Sequence, residues 1–333
     1  MFFIYFCQLN IYYKENLTDK EKYIDFCNQN SNVPLFYQPW WLDIMVNHQW
    51  DVVVSLDAGS KILAALPYAI TKKYGLKFIL QPKLTPYLGI LYNKPRDLSK
   101  LSSIYSFENK HSKILIEQLP KSVIYQQLQS NIDFTNWYSF YNSGYVQSTR
   151  YTYILKNIKN HDYIYNGFTN TLKRQIKEGY TDINIEETQD IWIVFELMKN
   201  WFKYSGIKWG LDKSVLEKLD IELKNRNMRD ILIARNKEGK VVSGAYIVRD
   251  LQKAYLLGLG TDRDLDTSNS TKTILWEAIK KSSGHVDIFD FEGSMIPGVE
   301  RIYRSFGGKM TPYFEIKKYK NRLIRGLFLM LNK

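Results

Sequence analysis

Two segments of this chain are written to one plan at a constant offset. Asp51-Val-Val-Val-Ser-Leu-Asp-Ala-Gly-Ser-Lys61 and Asp230-Ile-Leu-Ile-Ala-Arg-Asn-Lys-Glu-Gly-Lys240 share their length, an apolar triplet after the first Asp, a glycine near the turn and a closing Lys. Both continue as two aliphatic and two small residues, Ile62-Leu63-Ala64-Ala65 and Val241-Val242-Ser243-Gly244. Two apolar runs around a Gly-containing turn are a hairpin signal, and a recurring unit is the mark of an internal repeat. Any two hairpins look somewhat alike, but fifteen positions without a slip constrain the chain to two similar halves. With 333 residues, 45% of them hydrophobic, there is material for two medium cores. The polar, Tyr-rich stretch Tyr138 to Tyr153 places the boundary near residue 150.

The second half closes on a stretch that carries chemistry. From His285 to Ile316 the order reads strand, turn, helix, strand. Val286, Ile288, Asp290 and Glu292 alternate with Asp287, Phe289 and Phe291, as in a central strand buried on both faces. After a Gly293-Ser294 turn, Val299, Ile302, Tyr303 and Phe306 recur at helical spacing between Pro297 and Gly307-Gly308. Met310, Pro312, Phe314 and Ile316 then alternate as a returning strand. Asp290 and Glu292, two apart on one strand, are expected to leave the sheet on one face, at the end where open α/β sheets bind ligands. They make a candidate paired carboxylate. The competing role for the pair is to cap the next helix and bind Arg301 or Arg304.

The Asp290-Phe-Glu-Gly-Ser294 strand end and the Glu300-Arg-Ile-Tyr-Arg-Ser-Phe-Gly307 helix resemble the C-terminal part of the Fem-like branch of the GNAT N-acyltransferase superfamily. Asn170-Thr-Leu-Lys-Arg-Gln-Ile-Lys177 is similar to the segment that begins the second domain of such proteins. The resemblance implies an α+β fold of two tandem GNAT-like domains, each a mixed, mostly antiparallel sheet flanked by helices. The expected division is 1–150 for the first domain, 151–317 for the second and 318–333 for a tail. Fem-like proteins include the aminoacyltransferases that build peptidoglycan cross-bridges, so the resemblance implies acyl or aminoacyl transfer onto an amine, from acyl-CoA or aminoacyl-tRNA.

In GNAT enzymes the strand, loop and helix that Ala254 to Gly260 opens here hold the pyrophosphate of coenzyme A, because free amides and a helix N-terminus favour an anion. The glycines of that loop are missing between Thr261 and Thr271, and Asp262, Asp264 and Asp266 repel a diphosphate. Ser268, Asn269, Ser270 and Lys272 remain as a one-phosphate subsite, unless Ser270 or Asn269 only caps the helix. This tilts the expected donor toward aminoacyl-tRNA, whose backbone a basic surface could hold. Tyr303 and Arg304 are candidates for the acceptor, the guanidinium suiting a carboxylate or phosphate. A single helix expected over Asp162 to Gly179 adds Lys173 and Arg174, opposite a Phe168, Leu172, Ile176 stripe, as a solvated basic face or an anion contact.

Elsewhere the pattern gives a short aromatic helix over Tyr37 to His48 and extended segments at Leu76 to Gln81 and Thr85 to Tyr92. Asp97 is expected to cap a helix bearing Leu98, Leu101, Ile104 and Tyr105, with Lys113 to Glu117 as a strand. Helices carrying Ile191 to Phe202 and Leu216 to Leu223 read as core-facing cover for the sheet. No dinucleotide, Walker or nucleophile-elbow motif occurs, and no Cys or His spacing suits zinc. Two cysteines, Cys7 and Cys27, give no disulfide framework, so a cytoplasmic setting is expected. The opening Met1 to Phe6 lacks the marks of a signal peptide and reads as an edge strand.

The formal charge of +12 is concentrated at one end. After Glu315 there is no acid, and Lys317, Lys318, Lys320, Arg322, Arg325 and Lys333 supply six of those charges. Tyr319, Leu323, Leu327, Met330 and Leu331 share one helical face, so the tail is expected either to lie on an anionic membrane, at its inner face, or to dock on the protein's own core. The expected acceptor is a small-molecule or lipid-linked amine of the cell envelope. A module that binds envelope precursors or RNA without catalysis is the alternative.

Overall fold

The structure is a computed structural model that describes residues 17–204, 206, 210–265, 269–293 and 295–331, apart from the side chains of residues 327, 329 and 331. The elements in chain order are α1 (Asp19–Gln29), a 3-10 turn (Leu35–Tyr37), α2 (Pro39–Met45), β1 (Trp50–Leu56), β2 (Ile62–Lys73), β3 (Leu76–Ile79), β4 (Leu91–Tyr92), α3 (Leu101–Gln118), β5 (Val123–Gln129), α4 (Tyr138–Asn142) and β6 (Val146–Lys156). They continue as α5 (His161–Asn166), α6 (Asn170–Asp182), β7 (Ile183–Glu187), α7 (Ile191–Tyr204), α8 (Lys213–Asn225), β8 (Arg229–Asn236), β9 (Val241–Arg249), β10 (Ala254–Thr261), α9 (Ser270–Ser283), β11 (Ile288–Asp290), α10 (Pro297–Ser305), β12 (Lys309–Tyr319) and α11 (Arg322–Leu331).

The chain divides into two compact units, one of Met1–Thr149 with Tyr313–Lys333 and one of Arg150–Pro312. In the first the strand order is β1-β2-β3-β5-β12, with β4 paired to β2, and in the second it is β7-β8-β9-β10-β11-β6. Each sheet has one parallel pair, β3 with β5 and β10 with β11, spanned by a crossover helix, α3 or α9. The other pairings are antiparallel. The hairpins β1-β2 and β8-β9 therefore sit at equivalent positions, two strands before the crossover. The fold is α+β with two tandem GNAT-like halves.

The repeat extends to the turns. Asp57 Oδ1 accepts the N–H groups of Gly59 (2.8 Å) and Lys61 (2.9 Å), and Asn236 Oδ1 accepts those of Glu238 (3.1 Å) and Lys240 (3.0 Å). Such Asx side chains stand in for backbone in tight turns. The third turn residue is left-handed in both, Ser60 at φ +62° and Gly239 at φ +79°. Both strands also slip register at the same place, Ser55/Leu56 and Ala234/Arg235.

The first core gathers Val53, Leu66, Leu115, Leu128, Phe140 and Ile316, and the second Leu232, Ile247, Leu256, Ile274, Phe289 and Phe306. Ile316 belongs to the first because β12 pairs with β5, from Glu315 opposite Gln129 to Tyr319 opposite Tyr125. The sequence reading ran the second half on to residue 317 and set 318–333 apart. Strand pairing instead gathers Tyr313–Lys333 with the first unit.

Several local expectations are corrected. Lys113 to Glu117 lie inside α3, and the strand follows later as β5; the helix starts after Lys100, with no side-chain cap from Asp97. The single helix expected over Asp162 to Gly179 is two, because the Thr169 hydroxyl accepts the Leu172 N–H (3.2 Å) and starts α6 afresh. The Tyr37 to His48 helix is α2 alone, preceded by the 3-10 turn. Tyr319 ends β12 and is not on the tail helix. Phe328 of α11 stacks on Tyr125 at 4.6 Å, while Leu323 and Met330 are 85% and 78% exposed. Met1 to Phe6, Cys7, Asp266, Ser268, Ser294 and the side chains of Leu327 and Leu331 lie outside the described residues. Among the described residues no helix is long and apolar enough to cross a membrane.

Candidate active site

β11 is a central strand, parallel to β10 and antiparallel to β6. The alternation expected through Glu292 stops at Asp290, because Glu292 adopts φ +51°. A non-glycine residue in that region is strained and persists only where its surroundings hold it. Asp290 does the holding. Fully buried, its Oδ1 accepts the Thr152 hydroxyl (2.5 Å) and the Glu292 backbone N–H (2.9 Å), and the Gly293 N–H donates to Thr152 Oγ1 (3.0 Å). A Cβ on Gly293 would lie 1.9 Å from the Tyr151 carbonyl oxygen, so only glycine fits this turn.

The two carboxylates thus leave the strand end in different ways. Asp290 is committed to the turn. Glu292 faces a cavity of about 410 Å³ lined by β10, α7, α10 and the start of α9. Its Oε1 is buried and has no hydrogen-bond partner. Burial, and then the nearby Asp290 charge, push its carboxyl well above the usual carboxylate range. Tyr303 lines the same cavity, its ring stacked on Phe291 at 4.7 Å, and burial followed by the Glu292 and Asp290 charges raises its phenol. The rest of the lining is largely apolar, including Met198, Trp201 and Phe202 of α7, with Arg263 and the Thr261 and Thr271 hydroxyls, which are bonded to each other at 2.7 Å.

Other sequence candidates lie elsewhere. Arg304 is exposed and donates to Glu300 Oε1 (2.9 Å), which also accepts the Tyr153 hydroxyl (2.7 Å), so Arg304 pairs with Glu300 and not with Asp290 or Glu292. Arg174 pairs with Glu178 at 3.5 Å, and Lys173 donates to the Asn166 carbonyl and sits over the Tyr165 ring. Asn269 occupies the cap position of α9 without a side-chain cap bond, its amide donating to Glu178 (3.2 Å) and its Oδ1 accepting from Lys272. Ser270 is buried and its Oγ has no partner. None of these six lines the Glu292 cavity. Sequence reasoning missed Met198, Trp201, Phe202 and Arg263, because the α7 residues were counted as cover for the sheet.

In the loop after β10, Asp262 Oδ1 accepts the N–H groups of Asp264 (2.9 Å) and Leu265 (3.1 Å). Those two amides are therefore not free to bind an anion. Among the described residues no three His, Cys, Asp or Glu side chains gather as a metal site.

No protein-family model and no curated protein matches the chain in sequence. Solved structures do match in shape. FemX superposes with a TM-score of 0.65 at 12% identity, over 95% of this chain and 99% of that one. The C-terminal DUF2156 domain of a protein described as a lysylphosphatidylglycerol synthetase, from Agrobacterium fabrum, superposes with a TM-score of 0.51 at 11% identity, over 94% of each chain. The fold is Fem-like.

Proposed function

We propose that this protein is an acyltransferase that moves an acyl or aminoacyl group onto an amine, with Glu292 as the general base. The observation that carries the reading is the Glu292 carboxyl at the wall of a largely apolar cavity, its Oε1 buried and without a hydrogen-bond partner. Perturbed carboxyls in clefts are functional-site candidates, and a carboxylate whose pKa is raised takes a proton more readily once ionised.

In the proposed step the amine nitrogen attacks the carbonyl carbon of a thioester or ester, forming the C–N bond. Its proton passes to Glu292 as the C–S or C–O bond breaks. Tyr303, kept as a neutral phenol by its surroundings, donates a hydrogen bond to the departing sulfur or oxygen. Asp290 acts through the turn, fixing the peptide that aims Glu292. The Asp264 and Leu265 amides after β10, both held by Asp262, favour an aminoacyl ester over coenzyme A as donor, in line with the name of the lysylphosphatidylglycerol synthetase neighbour. A lipid-linked or soluble envelope amine is the proposed acceptor.

The test is incubation with a panel of amines and either acetyl-CoA or aminoacyl-tRNA, read by mass spectrometry. A transferred group that disappears in Glu292→Gln is the expected result. Absence of product with both donors would leave a binding module instead. Isothermal titration with acetyl-CoA is expected to show no micromolar binding.

A further inference from the structure

The first unit carries a second concavity that the acyl-transfer reading does not use. It is about 630 Å³, between the C-terminal end of α3, the start of β5 and the end of β12. Lys121, Lys318 and Lys320 all line it. Among the described residues none of the three is ion-paired; the one acid in the lining is Glu117, which is exposed and placed 3.9 Å from Lys113. Surface lysines ordinarily extend into water. Lys318 is instead drawn inward, its ammonium 4.9 Å from the centre of the Tyr145 ring, and burial lowers its pKa. That ring is held in turn, since the Tyr145 hydroxyl donates to Gln126 Oε1 at 2.5 Å. Three like charges lining one recess repel one another, and an anion in the recess reverses the sign of that interaction.

We infer that this recess binds the phosphate of an organic phosphate, with Lys121, Lys318 and Lys320 on the phosphate and the apolar wall beside the organic part. Compact ammonium donors on flexible stems suit a tetrahedral, multiply charged oxyanion, whereas a planar carboxylate is better matched by the fork of an arginine. Ser143 adds a hydroxyl to the lining, and Ile116, Leu119 and Val123 supply the apolar surface. The volume lies within the usual range for small-molecule sites and exceeds what inorganic phosphate alone needs.

The test uses the full chain at low salt and two probes: glycerol 3-phosphate by isothermal titration, and phosphatidylglycerol vesicles by co-sedimentation against phosphatidylcholine vesicles. Binding of either probe is expected, with loss of about tenfold in affinity in Lys318→Gln and again in Lys320→Gln. Binding of glycerol 3-phosphate assigns a soluble ligand, and binding of the vesicles alone assigns a lipid headgroup. Lys320 is exposed, so Lys320→Gln keeps the test valid if Lys318→Gln fails to fold. Failure of both probes, or unchanged binding by Lys320→Gln, overturns the inference. Glu292→Gln is expected to bind both probes as the parent does, which separates this site from the proposed active site.

Discussion

The two halves share a hairpin down to single hydrogen bonds, yet they differ at the end of the central strand. In the first half β5 is followed by Ser130, whose N–H donates to the Phe314 carbonyl (2.8 Å) while its hydroxyl accepts the Phe314 N–H (3.0 Å). Leu88 bridges to Gln129 there, and the Gly89 N–H donates to the buried Tyr37 hydroxyl, so neutral groups close the junction. In the second half the equivalent junction is built from Asp290 and Thr152, and the next side chains face a cavity. A duplicated scaffold keeps what sets strand register. It diverges where register no longer depends on the side chains.

The largest expected effect breaks that difference at its centre. Glu292→Gln is isosteric and removes the proton acceptor, so turnover is expected to fall by about 10²- to 10⁴-fold. The same variant has a stability signature. The folded pKa of Glu292 is raised by burial and by Asp290, so the native state holds a proton that the unfolded chain releases at lower pH. Its contribution to stability is present below the ordinary glutamate range and is lost as pH rises through the raised folded value. Melting temperature followed across that window is expected to decline less with pH in Glu292→Gln than in the parent. Parallel curves would mean that Glu292 is not a desolvated carboxyl.

Next in size is the turn beneath it. Gly293→Ala puts a methyl group onto the Tyr151 carbonyl, a backbone atom that cannot swing aside, and is expected to destabilise the fold by about 3 kcal/mol. Chemical denaturation measures this, and a loss below about 1 kcal/mol would show that the turn yields.

How far these features can be read from sequence depends on whether a periodicity carries them. The hairpins, α10 and β12 follow apolar spacing and are legible. So is the Fem-like plan. The helix α3 was broken in reading because its buried stripe runs through Glu108, His111 and Ser112 before reaching Leu115 and Ile116. Each of those polar residues has a partner outside the helix: Lys94 at 2.5 Å from Glu108 Oε1, Ser55 at 2.8 Å from His111 and Tyr92 at 2.6 Å from Ser112. Apolar periodicity cannot see a polar face that is paired at long range. The pairing of β12 with β5 and the left-handed turn at Glu292 escape for the same reason, since neither leaves a repeating pattern. Strand alternation puts Asp290 and Glu292 on one face as a pair, whereas in the fold Asp290 bonds within the turn and Glu292 faces the cavity.

Those roles separate in a gentler variant. Asp290→Asn keeps an amide oxygen for the Thr152 hydroxyl and the Glu292 N–H but removes the charge that helps raise Glu292. The Glu292 pKa is expected to fall, which moves the acid limb of the pH-rate profile to lower pH while the maximal rate stays within a few fold. An unmoved limb with a collapsed rate would make Asp290 a participant in the chemistry instead of a positioning residue.

The smallest expected effect returns to the shared hairpin, where the halves differ by one residue at one left-handed position. Gly239 adopts φ +79° without a Cβ clash, and a Cβ there would meet nothing within 4 Å, so any penalty for a side chain is purely conformational. Gly239→Ser is therefore expected to destabilise by about 1 kcal/mol, the usual price of a left-handed residue with a side chain. Ser60 already carries that strain at φ +62°. Ser60→Gly relieves it but also loosens the unfolded chain, so the two terms oppose and the net change is expected within about 0.5 kcal/mol of zero. The Asx bonds from Asp57 and Asn236 hold both turns in the same shape, which is why the exchange isolates backbone preference from packing. Opposite signs or unequal sizes beyond these, measured by urea denaturation of both variants, would mean that the turns are not the same device, and the repeat would then rest on strand order alone.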